Sequence, residues 1–544
     1  MECIESNLID IPGRTIRPVR CTFADGKITS IESLANDSNC RTYLIPGFVD
    51  AHVHVESSML TPSQFARIAV VHGTVATVSD PHEIANVVGV EGVDFMLRDA
   101  SRVPFKFCFG APSCVPATTF ETAGAAINAD QIRDMLRRDD IGYLAEMMNY
   151  PGVLNGAADV ASKIAAAKSS GKPIDGHAPG LRNDDAYRYF AAGISTDHEC
   201  STLEEAVDKL RSNVFIQIRE GSAARNFDAL QPLIDRFPGR VMFCSDDKHP
   251  DELLGGHINQ LCKRAIAAGS DLFHVLAAAC ATPVQHYGLS VGQMQVGDPA
   301  DMVEINSIRE FDVLRTFIDG HCVAKQGQSL INASPAQPIN RFNCSPKQPQ
   351  QFEIRNEGNG PIRVMVAHDR LLTTTQVVET PTVADEFVVA DPDRDLLKLS
   401  VVNRYADAEP AVGFVRGFGL RGGALAGSVA HDSHNIIAVG DSDEAICAAV
   451  NAVIEHRGGL SVATDHQLNV LPLPVAGLMS VNSCEEVASL YSDLDKTAKR
   501  LGCPLEAPFM TLSFLALLVI PSLKLSDQGL FDGEQFKQVD LFVR

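Results

Sequence analysis

Between about residues 50 and 290 of this chain, short apolar runs alternate with amphipathic stretches at a regular spacing. This alternation constrains the fold more than any other feature, because strands separated by helical crossovers pair in parallel. "TPSQFARIAVVHG" places Thr61 as a helix N-cap, Pro62 at the first helical position and Gly73 as the stop. "TVATVSD" then reads as a buried strand. The helix–strand pair recurs as "ADQIRDMLRRDD" with "IGYLAEMM", "AADVASKIAAAKSSGK" with "PIDGHA", and "NDDAYRYFAAG" with "ISTDHEC". It recurs again as "LEEAVDKLRSN" with "VFIQIREG" and "ALQPLIDRFPG" with "RVMFCSDD". The spacing predicts an α/β protein with a (β/α)8 TIM-like barrel over residues 51–290, an open doubly wound sheet being the alternative.

The flanks read differently. Residues 1–50 carry short strand patterns with a hairpin signal at Asp25-Gly26, and residues 291–330 return to strand-like text. These two stretches are expected to form one small β domain. Residues 331–350, "INASPAQPINRFNCSPKQPQ", are rich in Pro, Asn, Ser and Gln and predict a linker, followed by a C-terminal α+β domain over 351–544. Lys and Arg total 46 against 68 Asp and Glu, a net charge of −22, which argues against nucleic acid as a partner. A neutral or cationic small molecule is the better match. Fourteen cysteines are scattered without a C-x-x-C pair and read as reduced thiols. "MECIESNLID" has no apolar signal region, and "FMTLSFLALLVI" ends at Pro521 too soon to span a bilayer, so a cytoplasmic protein without a membrane partner is expected.

The chemistry concentrates at strand ends. In "LIPGFVDAHVHVESS", Asp50, His52, His54 and Glu56 occupy alternate positions, so a strand would put them on one face. Two imidazoles so placed chelate one metal ion. Later predicted strands end in Asp80-Pro81-His82-Glu83, Glu146, His177, His198-Glu199, Arg219-Glu220 and Asp246-Asp247. The C-terminal strand ends are where such barrels build active sites. Four imidazoles and two carboxylates exceed the needs of a single open catalytic metal and suit two ions sharing a bridging carboxylate and an activated water. Ligands without thiolate favour Zn, Mn or Fe over copper or iron–sulfur. Asp246 would hold a metal, receive a proton and pass it to the leaving group. The residues thus read as a metal-assisted hydrolase.

Three further motifs carry less. "HDSHN", His431 to Asn435, either reaches the mouth of the barrel or is a polar turn elsewhere. "GFGLRG", Gly417 to Gly422, matches a dinucleotide fingerprint with Asp441 downstream, but Gly427 breaks the helix that should follow, so tight turns between strands are expected. His54 to Glu56 matches the H-x-E opening of zinc nucleobase deaminases, yet no P-C-x-x-C follows.

The set of H-x-H on strand one, a bridging residue on strand four, His on strands five and six and Asp on strand eight resembles the amidohydrolase superfamily. Many members bridge their metals with a carboxylated lysine, but "GYLAEMMNYPGV" has none and offers Glu146 instead. "PGFVDAHVHVESSMLTP", "SDPHEIANVVG", "IDGHAPGL", "GISTDHECSTLEEA" and "CSDDKHPDEL" are similar to the purine-base deaminases of that superfamily. So are "FVRGFGLRGGALAGSVAHDSHNIIAVG" and "PFMTLSFLALLVIPSLKLSDQGL" near the end of the chain. The resemblance implies hydrolysis of adenine to hypoxanthine and ammonia by a hydroxide activated by two divalent ions, Mn(II) or Fe(II), with Zn(II) as a third candidate. It implies His52, His54, Glu146, His177, His198 and Asp246 as metal ligands and Asp246 as proton shuttle. Glu83 and Glu220 are the candidate donors to purine N1, and His82, Arg219, His431 and His434 the candidate substrate contacts. A homodimer or other homo-oligomer is expected. Two alternatives remain: another binuclear amidohydrolase acting on cyclic amides or N-acyl substrates, and a non-enzymatic barrel scaffold, which the six intact ligand positions disfavour.

Overall fold

The computed structural model describes residues 2–543 apart from 36–39 and 357–359. The chain opens with an antiparallel meander, β1 (Glu2–Asp10), β2 (Thr15–Ala24) and β3 (Lys27–Ser33). β2 turns into β3 through Asp25 and Gly26, both at positive φ (50° and 79°), as a two-residue type I′ hairpin requires. β4 (Tyr43–Pro46) pairs parallel to β1. Four later strands return to this sheet: β13 (Met302–Ile305), β14 (Val313–Ile318), β15 (His321–Lys325) and β16 (Gln328–Ser329), giving the order β16-β15-β14-β13-β4-β1-β2-β3.

Between them run eight parallel strands: β5 (Phe48–Val53), β6 (Thr74–Ser79), β7 (Lys106–Ala111), β8 (Ile141–Met147), β9 (Ile174–Gly176), β10 (Thr196–Asp197), β11 (Phe215–Arg219) and β12 (Val241–Cys244). β5 to β9 form a parallel half-barrel in chain order, and β10 to β12 form a second parallel sheet. β5, β6 and β12 are buried along their whole length, as strands covered on both faces must be. The sheets meet at two seams, β5 against β12 and β9 against β10. Val53 bridges in parallel to Asp246, whose N–H donates to His52 O at 2.9 Å, and Ser195 N–H donates to Ile174 O at 2.9 Å. β7, "KFCFGA", is a strand that the helix–strand reading passes over.

Local structure departs from the sequence reading in two places. Thr61 precedes Pro62–Ala69 as expected, but its side chain makes no capping bond. More important, β5 ends at Val53 and the chain winds into a short 3-10 turn over Val55–Ser58. Glu56 therefore leaves the face shared by Asp50, His52 and His54, and accepts from Ile84 N–H at 3.2 Å instead.

Residues 330–348 carry neither helix nor strand. An eight-stranded sheet follows, running from Ile362–Val366 to Leu468–Pro472. α2 (Asp443–Glu455) packs on its central strands, with Ser442 Oγ accepting from Ala445 N–H as the N-cap. The turn Gly417–Gly422 sits between two strands of this sheet, with Gly417, Gly419 and Gly422 at positive φ and with Asp395 and Asp441 accepting its N–H groups. α3 (Cys484–Arg500) and α4 (Pro508–Phe514) complete the fold. α3 packs on the helix Pro250–Gly255 that follows β12, and Tyr491 Oη lies 2.7 Å from His249 Nδ1, so the C-terminal half covers the strand ends of the N-terminal half. Apart from Cys40, the cysteines carry free thiols, and among the described residues no helix is long and apolar enough to cross a membrane.

Candidate metal centre

The C-terminal ends of β5, β8, β9, β10 and β12 converge. His52 and His54 come from β5 and the residue after it, with their Nε2 atoms 3.2 Å apart. Glu146 is the next-to-last residue of β8, and its two oxygens face different partners. Oε1 lies 3.5 Å from His54 Nε2 and 3.5 Å from His82 Nδ1. Oε2 lies 2.8 Å from His177 Nδ1 and 3.3 Å from His198 Nε2. Asp246 Oδ1 sits 3.3 Å from His54 Nε2 and 3.6 Å from His52 Nε2. All six predicted ligands are thus brought together, none more than 9% exposed. Their donor atoms form overlapping clusters, His52/His54/Asp246 and His52/Glu146/His198 among them, each compact enough to hold one ion.

Buried hydrogen bonds aim these groups. Asp50, two residues before His52, accepts from Ser245 N–H at 3.0 Å and lies 2.8 Å from His257 Nε2, which pins β5 to β12. Asp80 accepts from His82 N–H (3.0 Å) and Glu146 N–H (3.2 Å), tying the end of β6 to β8. Arg219, from the end of β11, donates to Glu199 Oε2 at 3.0 Å and to Asp246 Oδ2 at 2.6 Å. Asp246 itself holds a left-handed backbone conformation, φ 54°.

Carboxylates and imidazoles compensate one another in the cavity. Six carboxylates line the cavity (Glu83, Glu146, Glu199, Asp246, Asp247 and Asp432), against five imidazoles and one guanidinium. Buried charge of one sign is costly unless paired. Burial works to raise the Glu146 carboxyl, but His177 and His198 outweigh it and hold it well below the usual carboxylate range. Burial likewise opposes ionisation of Asp246, and Arg219 and His54 overcome it. Burial, with His198 and His54 alongside, pushes His52 well below the ordinary imidazole value. The Nδ1 atoms of His52 and His198 face no protein partner among the described residues. Against burial, nearby carboxylates raise His54, His177 and His198, so without metal these three imidazoles hold protons that bound cations would displace. The all-nitrogen-and-oxygen donor set, with no thiol in the lining, fits a pair of divalent metals.

Beside this cluster lies a second one. Ser57 Oγ is 3.0 Å from Glu83 Oε1 and 2.6 Å from Asp247 Oδ1, and His431 Nδ1 is 3.4 Å from Glu83 Oε1. Burial first, then Asp247 and Glu56, push the Glu83 carboxyl well above its ordinary value. Glu83 belongs to α1 (His82–Val88). His431 arrives from the C-terminal half with Asp432, whose Oδ1 is 3.8 Å from His82 Nε2. His431 stacks on Phe514 at 4.5 Å, and Phe514, Leu517, Ile520 and Leu372 close the cavity with an apolar roof.

Three predicted residues do not line the cavity: His52, which lies beneath it with its Nε2 still against His54 and Asp246, and Glu220 and His434. Glu220 bonds Arg264, a helix residue behind β11, because the chain turns at Gly221 and the carboxylate points outward. His434 is fully buried behind His431, ring centroids 5.6 Å apart, and does not line the cavity. Conversely, Glu199, Asp247, Asp432 and the roof were not among the predicted site residues. Glu199 and Asp247 stood in the strand-end text beside chosen residues, whereas the roof had no signal beyond an apolar run.

A buried cluster of His and carboxylate donors at the ends of parallel strands defines a metal-dependent hydrolase, and residues 43–323 match the amidohydrolase family model. Residues 371–537 match the model of the adenine deaminase C-terminal domain. Adenine deaminase of Salinibacter ruber is 55% identical over 99% of both chains. That of Sulfurovum sp. is 52% identical over 99% of both, and that of Methanosarcina acetivorans 50% identical over 98% of both. The chain belongs to the adenine deaminase family.

Proposed function

We infer that the chain hydrolyses adenine to hypoxanthine and ammonia at a binuclear metal centre. The observation that carries the chemistry is Glu146, whose two oxygens face two separate imidazole sets as a bridging carboxylate must. His52, His54, Glu146, His177, His198 and Asp246 are the proposed ligands. Mn(II) or Fe(II) are the proposed occupants, with Zn(II) next, and the N/O donor set without thiolate supports these over copper or iron–sulfur. When bound, the metal pair supplies an activated water and Lewis-acid polarisation.

The protein's own groups do the proton work. Water adds to C6 of the purine, and Asp246 takes the proton that the water gives up, its Oδ2 held by Arg219 so that Oδ1 faces the reacting centre. Glu83 donates a proton to N1 as C6 becomes tetrahedral. Its buried position against Asp247 and Glu56 favours the protonated acid. Asp246 then returns its proton to the departing amine, the C6–N bond breaks to release ammonia, and the C6 hydroxyl proton passes back to Glu83 as the carbonyl forms. His431, Asp432 and His82 are proposed to orient the ring edge, and the apolar roof excludes bulk water. Relatives named for adenine deamination leave cyclic amides and N-acyl compounds as the disfavoured alternative.

In this reading the eight strands β5 to β12 close as a (β/α)8 barrel over residues 51–290. Residues 1–50 and 291–330 form the small β domain, 331–350 the linker and 351–544 the C-terminal domain. The Val53–Asp246 bridge and the Ser195–Ile174 hydrogen bond support closure. The decisive test is ammonia release by Mn(II)-loaded protein from adenine, compared with cytosine, adenosine and guanine. Turnover of adenine alone is expected. Activity on none of the four would overturn the assignment.

A further inference from the structure

A second cavity, of about 810 Å³, lies next to the metal centre. Its volume falls in the range of small-molecule sites. It opens between the loop that carries Val115, Ile127 and Asn128 and the hairpin that carries Phe536. Two features connect it with the buried site. Met148, directly after β8, lines both cavities. Val519 lines the outer cavity, while Leu517 and Ile520 of the same segment line the inner one. The partition is therefore a flexible thioether and one short stretch of chain, and a methionine side chain moves aside more readily than a branched or aromatic one.

The lining also selects a chemistry. Asp159 and Lys163 in the wall pair at 2.8 Å and cancel, and Glu534 leaves the surface slightly negative, which disfavours phosphates and other anions. Phe536 is 51% exposed, unusual for a phenyl ring, and it rests on Phe120 (5.7 Å) and Phe531 (5.3 Å). A rigidly backed, solvent-facing ring is a stacking platform for a flat heteroaromatic. Meanwhile every predicted metal ligand is at least nine-tenths buried, so substrate needs a staging place outside.

We propose that this cavity is a docking vestibule for the uncharged purine base, which stacks at Phe536 and passes Met148 to reach the metal centre. The proposal rests on the reading of the substrate as adenine. It is tested with two variants whose side chains are exposed and touch no predicted metal ligand: Phe536→Ala removes the platform, and Ala126→Trp fills the wall. Both are expected to lower kcat/KM for adenine about threefold to tenfold, the size of one lost aromatic stack, with metal content unchanged. If Ala126→Trp also loses metal, Phe536→Ala decides by itself. Wild-type kcat/KM in both variants of an enzyme active on adenine overturns the vestibule and leaves the catalytic reading standing. A wild-type protein silent on adenine ends that reading, and the vestibule with it.

Discussion

On the barrel side of the cavity, donors arrive one strand end at a time: His52 and His54 with β5, Glu146 with β8, His177 with β9, His198 with β10, Asp246 with β12. On the C-terminal side, His431 and Asp432 come from a loop between two sheet strands, and Phe514, Leu517 and Ile520 come from α4 and the turns after it. The first side is polar and cross-linked by hydrogen bonds. The second is mostly apolar and touches the first through His431, Asp432 and Phe514. If the proposed roles hold, the difference teaches that holding metal and covering substrate are assigned to separate parts of the chain, so they should fail separately when mutated.

Glu146→Gln probes the barrel side and has the largest expected effect. The amide keeps the shape but removes the charge that faces two imidazole sets. Metal content, read by elemental analysis, and ammonia release should fall together, by about 100-fold or more, at the upper end of what disturbed metal ligation costs. Full metal occupancy with full rate would show that another group bridges the ions and would erase the contrast drawn here. Phe514→Ala probes the roof and should behave otherwise. Losing the ring stacked on His431 should raise KM for adenine about tenfold, with metal content at the wild-type level. Loss of metal in this variant would make the roof part of the centre.

The same division explains what was legible beforehand. A βα period of fixed phase announces both the strands and the level at which their last residues sit, so the donors could be read one unit at a time. The small sheet was also visible, since Asp25-Gly26 has the turn chemistry that a hairpin demands. Where the period is interrupted, reading fails. Glu56 looks like the next residue of an alternating strand, but the chain leaves β5 for a 3-10 turn first. Glu220 looks like a strand-end acid beside Arg219, but Gly221 bends the chain and Arg264 takes its carboxylate. The roof is the extreme case. Leu372, His431 and Phe514 meet only through the packing of α3 and the C-terminal sheet on the barrel, a long-range fact with no local period to betray it.

The smallest expected effect concerns how each side is fastened. Lys209, on the barrel side, is fully buried but pairs with Asp197 at 2.9 Å and Glu205 at 2.8 Å. Lys524, under the roof, is equally buried, and its Nζ donates to the carbonyls of Leu372 (2.8 Å) and Phe514 (2.9 Å). Among the described residues no carboxylate pairs with it, and burial pushes it down to about 7. An unfolded lysine keeps its proton to about pH 10.4. From pH 7 to 10 the unfolded chain therefore binds the extra proton, and stability rises with pH through that window. Lys524→Met should remove this contribution, so that the wild type gains roughly 1–4 kcal/mol on the variant between pH 7 and pH 10, measured by chemical denaturation. Lys209→Met should show no such rise, because its two carboxylates keep the folded lysine protonated across the same range. Parallel pH profiles for wild type and Lys524→Met would mean that the roof is fastened by a charge as well compensated as the barrel's, and this part of the contrast would be lost.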